Sequence, residues 1–127
     1  MSKLNELRKA HKMARNRNFT LMDKIYHQDF RGYDPRVSAW INYEEHKILL
    51  PTIQKVIKGG KSRIIFENEE FLCFEFFRKH LEVKNDFIVT IAGVKYKHNE
   101  IIEMESLNEN LDFDPSEGQD WNWEDYE

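Results

Sequence analysis

Leu4, Leu7, His11 and Ala14 recur at helical spacing behind a Ser2 that can cap, with Lys9, Lys12 and Arg15 on the opposite face. The pattern predicts a helix over about 3–16. Thr20 with Asp23 three residues later resembles a capping pair, and Met22, Ile25 and Tyr26 give a short apolar face over about 21–28. Arg31-Gly32-Tyr33 reads as a loop. Asp34-Pro35 reads as the start of a third helix, with Val37, Trp40 and Ile41 inward and a continuation to Ile48. Pro51 is expected to end or bend it near Leu49; Ile53, Val56 and Ile57 then occupy a further turn or two, stopped by Gly59-Gly60.

The rhythm then changes to strands. Ser62–Glu67 and Glu70–Phe76 form a predicted hairpin of β-branched and aromatic residues around Asn68-Glu69. Phe87-Ile88-Val89-Thr90-Ile91 is the clearest strand, and Ala92-Gly93 is read as a turn into Val94–Lys97, which alternates as a half-wet strand. Residues 77–85 read as a short helix or a long loop, and Ile101–Met104 as a last strand or helical turn. Helices first and strands after predict an α+β fold, with N-terminal helices on one face of a small antiparallel sheet of about four strands.

The length of 127 residues fits one domain, expected at 1–104, with 1–60 mainly helical and 61–104 mainly strand. Residues 105–127 are expected to be a tail, disordered in isolation because Asn, Asp, Glu, Pro, Ser and Gly dominate it. Cys73 is the one cysteine, so no internal disulfide forms, and its apolar neighbours suggest an inert buried thiol. No stretch approaches the eighteen or so apolar residues of a membrane span, and no signal core opens the chain; the expected compartment is cytoplasmic.

Charge sharpens this picture. Residues 105–127 carry nine acids, no lysine or arginine, and Phe113, Trp121, Trp123 and Tyr126, leaving a body of formal net charge +5. Acidic runs are usually solvated, but disorder is poor in aromatics, and an exposed tryptophan is a favoured binding anchor. The sequence therefore predicts a non-enzymatic binding or regulatory protein. Its tail residues Phe113, Asp114, Asp120, Trp121, Trp123, Glu124, Asp125 and Tyr126 would dock on a basic groove of a nucleic-acid-processing protein, as a phage-type inhibitor or anti-CRISPR-like protein would.

Two rivals stand beside it. Arg8, Lys9, Lys12, Arg15 and Arg17 could lie along a phosphate backbone, with the tail folding back as an autoinhibitor. A small metal-independent ribonuclease could use His27 with Arg31 and Arg36, or His80 with Arg78 and Lys79.

Metal and cofactor motifs fall short. His80-Leu81-Glu82 and His98-Asn99-Glu100 lack the cysteine pair of a zinc deaminase. The run from Asp112 has Glu117 and Trp123 where a calcium loop needs Gly and Glu. Gly59-Gly60-Lys61-Ser62 lacks the earlier glycine of a phosphate loop. No cofactor and no metal site are expected.

Overall fold

The computed structural model describes residues 2–126; Met1 and Glu127, the last of the tail acids, lie outside the described residues. Helix α1 spans Lys3–Ala14, and the Asn5 amide donates to Ser2 Oγ at 3.1 Å, the cap expected from sequence. Its buried face is Leu4, Leu7, Ala10 and Ala14. Helix α2, Thr20–Ile25, starts behind Phe19, and no side chain caps it, so Thr20 and Asp23 are not a capping pair.

The next stretch departs from expectation. Residues Tyr26–Asp34 form strand β1 and Ala39–Asn42 form strand β2, paired antiparallel. Asp34-Pro35 thus opens a hairpin turn and not a helix. Arg36 explains the difference: its backbone amide donates to Asp34 Oδ1 at 2.9 Å, and its guanidinium grips both carboxylate oxygens. A side chain that satisfies its own backbone two residues on favours a turn over a helical first turn. Helix α3 starts later, at Tyr43–Gln54, behind a reciprocal Asn42–Glu45 capping box. It runs through the buried Pro51 instead of stopping near Leu49.

Four long strands follow: β3 (Ile57–Glu67), β4 (Phe71–His80), β5 (Phe87–Lys97) and β6 (Glu100–Leu111). Gly59 and Gly60 lie inside β3, and Ala92-Gly93 lie inside β5, so neither pair is the stop or turn read from sequence. The chain reverses instead at His98 and Asn99, both at positive φ. The sheet order is β2-β1-β6-β5-β4-β3, and β1 runs parallel to β6 while the other pairs are antiparallel. The fold is α+β with three helices, but the sheet is mixed and has six strands, not an antiparallel four. The connection from β1 to β6 runs through one helix, α3, and four strands, which permits the parallel pair.

Alternation assigns the faces. Leu72 pairs with Val94 and Phe74 with Ala92, and all four pack with α1, α2, Tyr26, Phe30 and Ile101 in the core. Phe76, Arg78 and Thr90 therefore share the helix-covered face, while Phe71, Cys73, Glu75, Phe77 and Lys79 point to the outer face. No helix among the described residues is long and apolar enough to cross a membrane.

Candidate functional site

Beneath the helices, three elements bring polar rings together. His11 from α1, Tyr26 from β1 and His46 from α3 meet at the Tyr26 hydroxyl, which lies 2.8 Å from His11 Nε2 and 3.3 Å from His46 Nε2. Met104 Sδ of β6 is a weaker acceptor at 3.5 Å. The Tyr26 side chain is only 2% exposed. Burial, with the charges of His46 and Arg8 adding to it, lowers the His11 pKa to about 3, and burial lowers that of His46 to about 4. Both imidazoles are uncharged near neutral pH. Burial also pushes the Tyr26 hydroxyl well above its ordinary value, so it stays protonated.

That leaves a hydrogen-bond chain with room to move protons. A neutral imidazole carries one N–H and one lone pair, and the phenol carries one proton and accepts two bonds. One imidazole can take the phenol proton while the other donates to the phenol oxygen. Gln54 extends the cluster: its Nε2 donates to the His11 carbonyl at 2.7 Å. Its Oε1 is the buried side-chain polar atom left without a partner among the described residues. An orphaned buried acceptor costs about 1–3 kcal/mol and calls for an explanation.

Further along the same face lies a cationic group. The Arg78 guanidinium donates through Nε to Thr90 Oγ1 and through Nη2 to Asn108 Oδ1, both at 3.1 Å, and Thr90 Oγ1 donates to Asn108 Oδ1 at 2.7 Å.

The tail is not where the sequence suggested. Glu105–Leu111 belongs to β6, across the boundary expected at 104. The rest folds back over the outer face. Trp121 stacks on Phe77 at 5.9 Å, Trp123 stacks on Phe87 at 6.1 Å, and the two indoles stand edge to face at 5.0 Å. They are 5% and 4% exposed. Asp114 fixes the arrangement by accepting from Trp123 Nε1 at 3.0 Å and from both the amide and hydroxyl of Ser116. Cations of the body hold the remainder. Arg8 lies over the Tyr126 ring at 5.4 Å, Lys58 donates to the Tyr126 carbonyl, Lys79 sits over Trp123 at 5.3 Å, and Lys61 approaches Asp120 at 3.8 Å. The expected anchors Trp121 and Trp123 are thus spent on this chain's own sheet. Of the expected docking residues, Phe113, 56% exposed, and Asp120, Glu124 and Asp125 remain exposed.

The other candidate residues are dispersed. Lys9, Lys12, Arg15 and Arg17 are exposed along and just after α1, whereas Arg8 turns inward to Ser62 and the Gly60 carbonyl. His27 sits at the start of β1 and His80 at the far end of β4, with β6 and β5 between those strands. Arg31 pairs with Glu103 and stacks on Trp40, and His80 Nδ1 accepts the Glu82 and Val83 amides. No ribonuclease constellation is assembled from them. Sequence reading missed the His11–Tyr26–His46 cluster because its members lie on three separate elements. The one available signal was a histidine on the apolar face of α1.

No family model matches the chain, and no curated protein does. Its fold, however, is that of solved NTF2-like proteins. An NTF2-like protein from Anabaena variabilis superposes with a TM-score of 0.65 at 13% identity, over 84% of this chain and 88% of that one. IdmH of Streptomyces antibioticus, a proposed polyketide cyclase, gives 0.65 at 6% identity, over 86% and 93%. A proposed isomerase from Rhodopseudomonas palustris gives 0.64 at 7%, over 88% and 93%. The chain has the NTF2-like α+β fold, with a six-stranded mixed sheet and three helices.

Proposed function

We propose that the chain acts on a small molecule by general acid–base chemistry, of the isomerase or cyclase type, at the helix-covered face of its sheet. The single observation that carries this reading is the buried Tyr26 hydroxyl shared between two uncharged imidazoles. A protonated phenol can donate to a carbonyl oxygen, and a neutral imidazole can take a proton from the adjacent carbon. The orphaned Gln54 Oε1 supplies an acceptor for a substrate N–H or O–H. Proposed cyclase and isomerase functions among proteins of the same fold agree with such chemistry, as an analogy of fold alone. The test needs no known substrate. A panel of small cyclic ketones and β-keto esters is incubated with the protein in D2O and followed by NMR. Enzyme-dependent exchange of carbon-bound protons is expected, reduced about 100-fold or more in Tyr26→Phe and His46→Gln. Exchange that is unaltered by both substitutions overturns the reading.

A second reading is favoured by the tail. Arg8, Lys58, Lys61 and Lys79 all face tail groups, so an acidic segment covers a basic surface of its own body. In this reading the body binds nucleic acid once the tail lifts, through these cations with Lys9, Lys12, Arg15 and Arg17. Docking of the tail on another protein's basic groove requires the same release, which exposes two indoles at roughly 2–3 kcal/mol each. Removal of residues 112–127 should then raise affinity for single-stranded RNA or DNA at low salt, with a steep salt slope. Equal, negligible binding by both forms eliminates this reading.

A further inference from the structure

We propose that Arg78, between Thr90 and Asn108 on the helix-covered face, is the docking point for the carboxylate of a small-molecule ligand. The inference rests on the reading of that face as a small-molecule site, and it names a property of the ligand. Arg31, Arg36 and Arg63 each pair with an acid, at Glu103, Asp34 and Glu75. Arg78 has no acidic partner among the described residues; its two hydrogen bonds go to neutral oxygens.

A guanidinium has five N–H donors in a fixed fork, so three remain without a protein partner. The two bonds already made hold the plane of the fork in place, because Thr90 is 2% exposed and itself bonded to Asn108. A preset fork with free donors matches the bidentate geometry of a carboxylate. The surroundings favour an anion further. Burial, and then the positive charge of Arg36, lower the Arg78 pKa. Arg36 is locked on Asp34, and of that pair it is the cation whose field bears on Arg78. A partly buried cation facing a second cation is relieved by a bound anion. Phe76, whose ring lies 5.6 Å from the Arg78 guanidinium, offers an apolar surface for the ligand's body.

The experiment titrates 15N-labelled full-length protein with phenylacetate and, separately, with phenylacetamide at fixed ionic strength. Saturable shifts of the Arg78, Thr90 and Asn108 amides are expected with the acid and not with the amide. Arg78→Gln should weaken the acid roughly tenfold or more. Asn108→Asp, which places a carboxylate beside the arginine, should abolish binding with Arg78 still present, and it serves where Arg78→Gln fails to fold. If acid and amide shift these residues equally in the wild-type protein, or the acid binds both variants as tightly as the wild type, anion recognition falls while the small-molecule reading stands. No saturable shift at this face with either compound overturns the inference; undiminished exchange catalysis in D2O would still leave the acid–base reading intact.

Discussion

Gly60 lies directly beneath Trp123: a Cβ built at that position would stand 2.7 Å from the indole Cζ3 and 2.9 Å from Cζ3 of Trp121. The glycine in the middle of β3 is there to admit two rings from a segment some sixty residues later. Gly60→Ala should therefore destabilise the protein by roughly 1–3 kcal/mol through overpacking. Tryptophan emission should shift to the red as the indoles are pushed into water. Thermal unfolding together with fluorescence checks it, and unchanged emission would show that the rings do not rest on Gly60.

Acid should loosen the same segment. Burial alone would raise the Asp114 pKa, but the bonds from Ser116 and Trp123 Nε1, with Lys79 nearby, outweigh it and hold the carboxylate below its ordinary 3.8. A lowered folded pKa gives stability that is present in full above the unfolded value and is lost as pH falls through the folded one. Tail fluorescence should change below about pH 4, and Asp114→Asn should show the loosened state already at pH 7.

The two interior imidazoles set a second acid dependence, higher on the pH scale. In the unfolded chain both protonate near 6.5, whereas in the fold they resist until about 3 for His11 and about 4 for His46. The unfolded state binds more protons between those values, so stability is complete above pH 6.5 and falls steadily below it. His46→Gln should flatten the slope of urea-derived stability between pH 4 and 6.5, by a few kcal/mol at the acid end. Imidazole NMR on the wild-type protein should show no titration of either ring at pH 6.

Asn42 and Glu45 close the N-terminus of α3 reciprocally, each side chain accepting the other's amide at 2.9 Å. Asn42→Ala should cost about 1 kcal/mol in thermal unfolding. A larger loss would mean that the register of His46 also depends on this cap, which the deuterium exchange of the variant would report.

What could be read from the chain depended on the range of the interactions. Helix α1 was legible from Ser2 and its apolar stripe, and the β3–β4 hairpin from its β-branched and aromatic runs, because both signals are local. Asp34-Pro35 misled because a helix cap and a turn begin with the same residues, and only the grip of Arg36 on Asp34 separates them. Ala92-Gly93 resembled a turn, although Gly93 sits mid-strand under Phe71, whose ring would be 3.3 Å from a Cβ there. The destination of Trp121 and Trp123 was invisible for the same reason, since it is written in Gly60, Phe77 and Phe87. Of the candidate site, composition pointed at the tail and the N-terminal cations. The His11–Tyr26–His46 cluster and the Arg78 fork depend on strand order, which no local pattern encodes.

The parallel pairing of β1 with β6 joins Tyr26 to Ile101. On the ribosome, β1 emerges with one edge held by β2 and the other without its neighbour until Glu100–Leu111 has also left the exit tunnel. The sheet therefore closes late and over long loops, which makes folding slow for a chain of this size. A nascent chain stalled before Glu100 would leave the edge of β1 unpaired and open to solvent, a natural point for chaperone capture.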